Sequence, residues 1–288
     1  MTVNDDRLAA QFDAQRERLR AVAYRMLGSL AEADDAVQEA WLRLSRADAE
    51  VQNLAGWLTT VVGRICLDIL RSRRSRGEQP LDTHVPDPVL GSDPEYQAIQ
   101  ADSVGLALLV VLDALAPAER LAFVLHDMFG VPFADIAPIV GRTTSTTAQL
   151  ASRARRRVRS APVPDADISR QREVVDAFLA ASRAGEFEAL VGVLDPDVLL
   201  RADWGDARVV AAVRGAQHVA RQALTFAQVS PSAPYGVVVN GAAGVASARD
   251  GRVVALLVFT VCDGRIAEID ILADPDRLAT LDLPGGVR

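Results

Sequence analysis

Hydrophobic spacing changes once along this 288-residue chain, and the change separates two kinds of fold. Up to about residue 160, apolar side chains recur at the three- and four-residue spacing of amphipathic helices. Beyond residue 197, short apolar runs predict strands, and the Asp263-Gly264 pair predicts a hairpin turn, as does the pair at 250–251. The pattern therefore predicts helical domains followed by an α+β domain with an antiparallel sheet.

Two proline-containing stretches divide the chain further. Residues 77–102 contain four prolines and several acids but no basic residue, and they predict a linker, because proline blocks helix formation. Pro162 and Pro164 mark a second break. We expect two all-α helical domains at 7–76 and 103–160, with the acidic linker 77–102 between them, and an α+β domain at 168–283.

Composition excludes several classes of protein. No apolar run approaches the roughly 20 residues that cross a bilayer, and the N-terminus has no secretion signal, so we expect no membrane contact and a cytoplasmic location. Cys66 and Cys262 lie far apart without a CxxC partner, which excludes a disulfide scaffold and a cysteine-based zinc site. We predict no cofactor and no metal.

Basic residues concentrate in two places although the net charge is −7. All 31 are arginine, and clusters end the helices predicted near residues 76 and 159. Each cluster suits a helix C-terminus, where cations are favoured, and it equally suits contact with phosphate. The second cluster follows a short helix and a turn at Gly141, which is the plan of a helix-turn-helix.

Polar side chains open the helix after Gly141. Hydroxyls and the Gln149 amide lie at the end that enters the major groove in a helix-turn-helix. The alternative is a run of threonines that caps a surface helix. A further helix carries Asp35, Glu39 and Arg43 at four-residue spacing, which by spacing alone favours a solvent-exposed ion pair.

Two long stretches resemble sigma-70 factors of bacterial RNA polymerase. Residues 9–76, through AYRMLGSLAEADDAVQEAWLRL and GWLTTVVGRICLDILRSRRSR, resemble region 2. Residues 103–160, through LDALAPAERLAFVLHDMFGVPFADIAPIVGRTTSTTAQLASRARRRV, resemble region 4. The pairing without region 3 is typical of the extracytoplasmic-function (ECF) group. The last segment is similar to SnoaL-like domains of the NTF2-like fold.

The resemblance implies a role for each candidate residue. It implies that region 2 binds the β′ clamp helices of core polymerase, which overrides the ion-pair interpretation, and that region 4 meets the β flap. The implied core-binding residues are Asp35, Gln38, Glu39 and Trp41. The implied −10 contacts are Asn53, Trp57, Arg64, Arg71, Arg73, Arg74 and Arg76. The implied −35 contacts are Thr143, Ser145, Thr146, Thr147, Gln149, Arg153 and Arg156.

The SnoaL-like segment leaves more than one function open. Relatives of this fold use a carboxylate in a pocket as a general base, and the candidates here are Asp203, Trp204 and Asp270. We favour a non-catalytic domain that regulates the sigma factor in cis, with a small-molecule ligand or self-association as further options. The alternatives are an isomerase or hydrolase fused to a DNA-binding module, and a ligand-sensing DNA binder independent of polymerase.

The linker departs from its relatives. Many of them carry Trp-Leu-Pro-Glu-Pro where this chain has His84-Val85-Pro86-Asp87-Pro88. The loss of the tryptophan argues against a role for this linker in holding domains together.

Overall fold

The computed structural model describes residues 3–46, 53–75, 85–90, 106–160, 164–205, 212–229, 233–249 and 252–281. The chain forms two compact units. The first combines residues 1–80 with 111–160, and the second combines 81–110 with 161–288. The two predicted helical segments therefore pack together as one unit.

Three helices form the N-terminal part of the first unit. They are α1 (Val3–Leu27), α2 (Leu30–Ser45) and α3 (Leu54–Ser75). Gly28 ends α1 with a φ of 72°, a conformation that costs glycine little. Asn53 precedes α3, and its side-chain oxygen accepts the Gly56 N–H at 3.0 Å, as an N-cap does.

The three-residue spacing of Ser29 and Glu32 predicts a capping box at the start of α2, and this prediction is wrong. Ser29 precedes α2 with an extended backbone, but its side chain makes no capping hydrogen bond. Glu32, the expected partner in a capping box, instead forms an ion pair with Arg73. Because Arg73 comes from α3, a contact between helices replaces a local one.

Four more helices follow: α4 (Leu106–Asp113), which begins in the second unit and ends in the first, α5 (Pro117–Phe123), which continues into a π-helical turn (Val124–Met128), α6 (Phe133–Val140) and α7 (Thr144–Arg159). Gly141 joins α6 to α7 with a φ of 73°. Thr143 caps α7 by accepting the Thr146 N–H at 3.2 Å. The predicted helix-turn-helix is confirmed.

A six-stranded sheet organises the second unit. Its elements are α8 (Ile168–Ala184), α9 (Phe187–Val193), β1 (Leu194–Asp203), β2 (Val213–Arg214), α10 (Ala216–Val229), β3 (Ala233–Val239), β4 (Ala242–Arg249), β5 (Arg252–Cys262), β6 (Arg265–Leu272) and α11 (Pro275–Ala279). The strand order is β2-β1-β6-β5-β4-β3. β1 pairs with β6 in parallel, so the prediction of a wholly antiparallel sheet is wrong. The first strand inserts beside the last one, and hairpin signals carry no information about such a pairing.

The apolar core of this unit lies on one face of the sheet. Leu200 and Ala202 of β1 belong to it, together with an edge-to-face pair of Phe178 and Phe259, whose ring centroids are 5.7 Å apart. Alternation along β1 places Arg201 on the opposite face. Helices packed on a mixed six-stranded sheet make this an α+β domain, which confirms the predicted fold class.

Asp165 fixes the start of this domain. Its carboxylate accepts the N–H groups of Asp263 and Gly264 at 3.0 and 3.1 Å. Both of those residues have positive φ, as a type I′ turn requires, so the predicted β5–β6 hairpin is confirmed. The pair at 250–251 lies outside the described residues.

Candidate functional site

The predicted core-binding residues share one face of α2. Asp35 and Gln38 are exposed, and the Glu39 carboxylate accepts the Arg43 Nε–H at 2.8 Å. Trp41 is half-buried, with its ring 5.0 Å from that of Phe12 on α1. This face therefore combines acidic side chains with an anchored aromatic ring.

An open groove of about 270 Å³ runs beside this face, between α1 and α2. Its lining is mixed: Ala9, Phe12, Asp13, Arg16, Asp34, Val37, Gln38 and Trp41. Asp34 is held by Arg20, whose Nε lies 2.7 Å from the carboxylate. The groove offers apolar contact at its floor and carboxylates at its rim.

The α3 candidates divide into two sets. Arg64, Arg71 and Arg74 are exposed. Arg73 is turned inward, where it pairs with Glu32 and points its Nη1 towards the Leu27 carbonyl at 3.4 Å. Arg73 is therefore a weaker phosphate-binding candidate, because its charge already pairs with Glu32 of α2.

Two further −10 candidates have local roles. Asn53 is exposed, although its side-chain oxygen is occupied as a cap, and Trp57 is half-buried. Arg76 lies outside the described residues. The exposed arginines of α3 therefore remain the strongest phosphate-binding candidates of region 2.

The N-terminal turn of α7 presents fewer side chains than the sequence indicates. Ser145 and Gln149 are exposed. Thr147 is fully buried, and its hydroxyl donates to the Thr143 carbonyl at 2.9 Å. The structure therefore removes Thr147 from the DNA-facing set, and it gives Thr143 a capping role and Thr146 a hydrogen bond to it.

Acidic residues of the preceding helices orient α7. The buried Glu119 carboxylate accepts a hydrogen bond from Arg157 Nη1 at 2.6 Å, and Asp127 pairs with Arg155 at 2.5 Å. Arg153 lies at the limit of this network, 4.0 Å from Glu119, and is mostly exposed. Arg156 faces solvent. The exposed Arg153 and Arg156 thus lie on a helix that the ion pairs of Arg155 and Arg157 hold in place.

The carboxylate candidates of the C-terminal domain are both paired with arginines. Asp270 is buried, and both of its oxygens accept hydrogen bonds from Arg201, at 2.6 and 3.2 Å. Arg201 also binds Glu268 at 2.9 Å. Burial raises the pKa of Glu268, and the two carboxylates raise the pKa of the Arg201 guanidinium beyond the loss that burial causes. Asp270 is therefore tied in an ion pair.

Asp203 and Trp204 make contacts that differ from those of Asp270. Asp203 accepts a hydrogen bond from Arg277 Nη1 at 2.5 Å and one from the Gly205 N–H. Trp204 packs against the apolar core and stacks on Phe226, with 5.7 Å between ring centroids. Both carboxylates are thus paired with arginines, while the indole joins the core.

Part of the linker binds the C-terminal domain. Arg277 Nη2 donates to the Asp87 carboxylate and to the Val85 carbonyl, both at 2.6 Å, and Nε donates to Asp87 at 3.1 Å. The same guanidinium holds Asp203. One arginine thus joins a linker carboxylate to a domain carboxylate, and its side chain is only 17% exposed.

The β3–β4 turn makes a second contact with the linker. The Asn240 side chain accepts the Val89 N–H at 2.9 Å, and the Asn240 N–H donates to the Val89 carbonyl at 2.8 Å. Leu90 adds an antiparallel bridge to Val239. We call the contacts of residues 85–90 with Arg277 and Asn240 the linker clamp.

The linker clamp contradicts the expectation drawn from the lost tryptophan, and no sequence motif indicated it. The lost tryptophan argued against such a contact, but Asp87 and the backbone of the linker supply it. Arg277 is the last residue of the Asp-Pro-Asp-Arg sequence that begins at Asp274. The Asp274 carboxylate caps α11 by accepting the N–H groups of Asp276 and Arg277, which fixes the position of the arginine backbone. The Asn240-Gly241 pair signals a turn, but nothing in it indicates a bound linker.

Metal and membrane sites are absent from the described part of the chain. There, no three histidine, cysteine or acidic side chains are grouped as metal ligands. None of the described helices is both long enough and apolar enough to cross a bilayer.

Two family models match the helical segments. The model described as Sigma-70 region 2 matches residues 12–76, and that described as Sigma-70, region 4 matches residues 105–158. They cover the two segments that carry the candidate core- and DNA-binding residues.

Similar proteins extend over nearly the whole chain. The ECF RNA polymerase sigma factor SigJ of Mycobacterium tuberculosis is 38% identical, over 93% of this chain and 92% of its own length. A probable ECF RNA polymerase sigma factor of that species, SigI, is 36% identical over 98% of this chain and 99% of its own. The crystal structure of SigJ superposes with a TM-score of 0.76, covering 96% of this chain and 99% of that one.

Proposed function

The chain belongs to the ECF RNA polymerase sigma factors, and from this we propose which surfaces bind polymerase and promoter and how the C-terminal domain regulates them. The factor binds core RNA polymerase and directs it to initiate transcription at selected promoters. The observation that carries this function is the pair of sigma-70 regions, matched at 12–76 and 105–158, within a chain alignable end to end with such factors. Its place of action is the cytoplasm, where the polymerase works.

The acidic face of α2 is the surface that we assign to core polymerase. Asp35 and Gln38 are exposed, Glu39 lies between them and Arg43, and Trp41 borders the groove. Acids on a rigid helix attract a basic partner and accelerate its encounter. We propose that the β′ clamp helices lie on this face, as the family implies.

A charge reversal tests this assignment. Asp35→Arg with Glu39→Arg is expected to weaken core binding at least tenfold in a pull-down titration, because attraction becomes repulsion. Glu173→Arg with Asp176→Arg makes the same charge change on exposed positions of α8 and is the matched control. Equal core affinity of the two double variants, both folded by circular dichroism, contradicts the assignment.

Two arginine-bearing helices are the proposed promoter contacts. On α3, Arg64, Arg71 and Arg74 are exposed and meet the phosphates around the −10 element, with Arg71 leaving its loose pair with Asp68 at 3.8 Å. On α7, Gln149 stands where a side chain reaches base edges in the major groove, and Arg156 stands further along for phosphate. Region 4 also meets the β flap in this proposal, as in the family.

The C-terminal domain acts on the linker rather than on a substrate in this proposal. The linker joins region 2 to region 4, and the linker clamp holds it through Arg277 and Asn240. Holding the linker shortens the chain that is available for separating the two regions, so the clamp restrains initiation. Supporting this, the carboxylates Asp203 and Asp270 that would serve as bases are engaged by arginines.

The rival functions make different predictions. A fused isomerase or hydrolase requires a carboxylate free to take a proton, and the ion pairs of Asp203 and Asp270 disfavour it. A polymerase-independent DNA binder requires tight duplex binding by the isolated protein. We propose that neither activity is present, and that promoter binding depends on core.

A further inference from the structure

One buried carboxylate faces two arginines of α7. Glu119 lies in the first turn of α5, and its side chain is only 8% exposed. Arg157 Nη1 donates a hydrogen bond to this carboxylate at 2.6 Å, whereas Arg153 Nη1 lies 4.0 Å from it, at the limit of an ion pair. Both arginine side chains are more than half exposed, so neither guanidinium is fixed by burial.

The spacing of the two arginines makes them alternatives for the same partner. Residues four positions apart are neighbours on a helix face, so Arg153 and Arg157 belong to one row of α7. Gln149, which is proposed to reach base edges, continues this row towards the N-terminus. Glu119 brings one negative charge against the two positive charges, so one positive charge is left over. In the structure Arg157 holds the close position.

The other acidic contact of α7 has a different form. Asp127 pairs with Arg155 at 2.5 Å, and both side chains are mostly shielded from solvent. Arg156 is exposed. Among the described ion pairs of α7, the one at Glu119 is therefore the place where a carboxylate selects between two exposed arginines.

DNA phosphates compete with Glu119 for these guanidinium groups. Each arginine that contacts a phosphate neutralises one charge, and such a contact carries no sequence information. Coulomb attraction weakens with distance, and 4.0 Å is too long for a hydrogen bond. A phosphate therefore draws Arg153 away from Glu119 more readily than it draws Arg157.

We propose that Glu119 is a positioning residue that withholds Arg157 from DNA and leaves Arg153 to bind the phosphate backbone beside the −35 element. This inference rests on the proposed function, in which α7 meets promoter DNA. Glu119 acts through the two arginines and does not contact DNA itself. Because it removes one contact that is independent of sequence, it limits the binding of region 4 to DNA that lacks a promoter.

Substitutions at the three side chains separate their roles. Glu119→Gln keeps the shape of the side chain, removes its charge and releases Arg157, so one phosphate contact is gained. Arg157→Gln vacates the carboxylate, which then holds Arg153, so one contact is lost. Arg153→Gln loses the same contact directly. The double variant Arg153→Gln, Arg157→Gln therefore loses one contact and not two.

The salt dependence of holoenzyme binding counts these contacts. Core polymerase with each full-length variant is titrated on one promoter fragment over a range of salt concentrations. One phosphate contact changes the slope of log affinity against log salt by about 0.9, which is about an eightfold change in affinity for each tenfold change in salt. Because core and DNA are the same throughout, their own contributions cancel in the comparison with the parent.

The pattern of slopes distinguishes selection by Glu119 from a simple change of charge. We expect a steeper slope for Glu119→Gln, and an equally shallower slope for the two single arginine variants and for their double variant. Independent charges would instead make the double variant twice as shallow. Glu188→Gln makes the same chemical change at an exposed position of α9 and is the matched control, with the parental slope.

Two results overturn the proposal while leaving the sigma function intact. One is a double arginine variant whose slope falls by the sum of the two single effects. The other is a folded Glu119→Gln variant with the parental slope. If circular dichroism shows that Glu119→Gln does not fold, the arginine variants decide, because they change exposed side chains. Absence of a promoter-specific complex of the parent, with core active on another sigma factor, overturns the proposed function itself.

Discussion

Arg277→Met is the perturbation that tests the linker clamp most sharply. The guanidinium makes three hydrogen bonds to the linker, two to the Asp87 carboxylate and one to the Val85 carbonyl. The ion pair is largely shielded, with 17% of the Arg277 and 21% of the Asp87 side chain exposed. Methionine keeps much of the apolar length of the side chain and removes every donor.

The magnitude follows from those bonds. Hydrogen bonds to charged groups contribute roughly 1.5–3 kcal/mol each, and bonds from one guanidinium are not additive, so we expect a loss of about 3 kcal/mol of docking free energy. At about 1.4 kcal/mol per factor of ten, the fraction of undocked linker rises about 100-fold.

Amide hydrogen exchange at Val89 measures the undocking. Its N–H donates to the Asn240 side chain and exchanges only when the linker leaves. We expect Arg277→Met to lower the protection of Val89 about 100-fold, and to leave the Asp263 amide, bonded to Asp165, unchanged. Asp203→Asn, which keeps the Arg277 bonds to the linker, is the matched control.

Unchanged protection of the Val89 amide would contradict the role given to Arg277. If the folded Arg277→Met variant protects the Val89 amide as strongly as the parent does, the guanidinium does not hold the linker. A fall in protection that is equal at Val89 and Asp263 indicates general destabilisation instead, and also contradicts a specific clamp.

Three further predictions concern separate parts of the chain. Gln149→Ala is expected to relax base preference at the −35 element, whereas Arg156→Ala is expected to weaken binding to all sequences and to lower the salt dependence of binding. Promoter-library titrations at two salt concentrations check both effects, and identical profiles for the two variants contradict them. Gly205→Ala is expected to lower the free energy of unfolding in urea by about 2 kcal/mol, because φ is +76° and the new Cβ would lie 2.6 Å from Asp274 Cγ. Gly192→Ala, which has open space around it, is expected to be neutral or stabilising, and equal stability of the two variants contradicts this expectation. Burial, with nearby Asp165 and other carboxylates, raises the pKa of Cys262 to about 11, so its alkylation rate should rise about tenfold per pH unit between 8 and 10; a plateau near pH 9 contradicts this.

Local signals in the sequence predicted the helical half well. Asn53, Gly141 and Pro117 are residues whose own conformational preferences start or end a helix, so the helix boundaries that they mark agree with the structure. Ser29 shows the limit of this approach. Its capping box failed because Glu32 found a distant partner in Arg73, and a local pattern does not describe such a contact.

The features that the sequence did not predict depend on contacts between residues far apart in the chain. The parallel pairing of β1 with β6 joins residues that lie about 70 positions apart, and no turn signal records it. Arg201 and Asp270 are also far apart in the sequence, so the sequence alone left Asp270 a plausible base. In the structure its carboxylate is paired with Arg201. The linker clamp depends on Arg277 reaching Asp87, 190 residues earlier.

In vitro transcription with purified core polymerase tests whether this chain directs promoter-specific initiation. The full-length chain is compared with its Asp35→Arg, Glu39→Arg variant on a library of promoters, with core alone as the baseline. We expect the parent chain to initiate at a discrete set of promoters and the variant to lose this initiation. No initiation above core alone by the parent chain, with core active on another sigma factor, would contradict it.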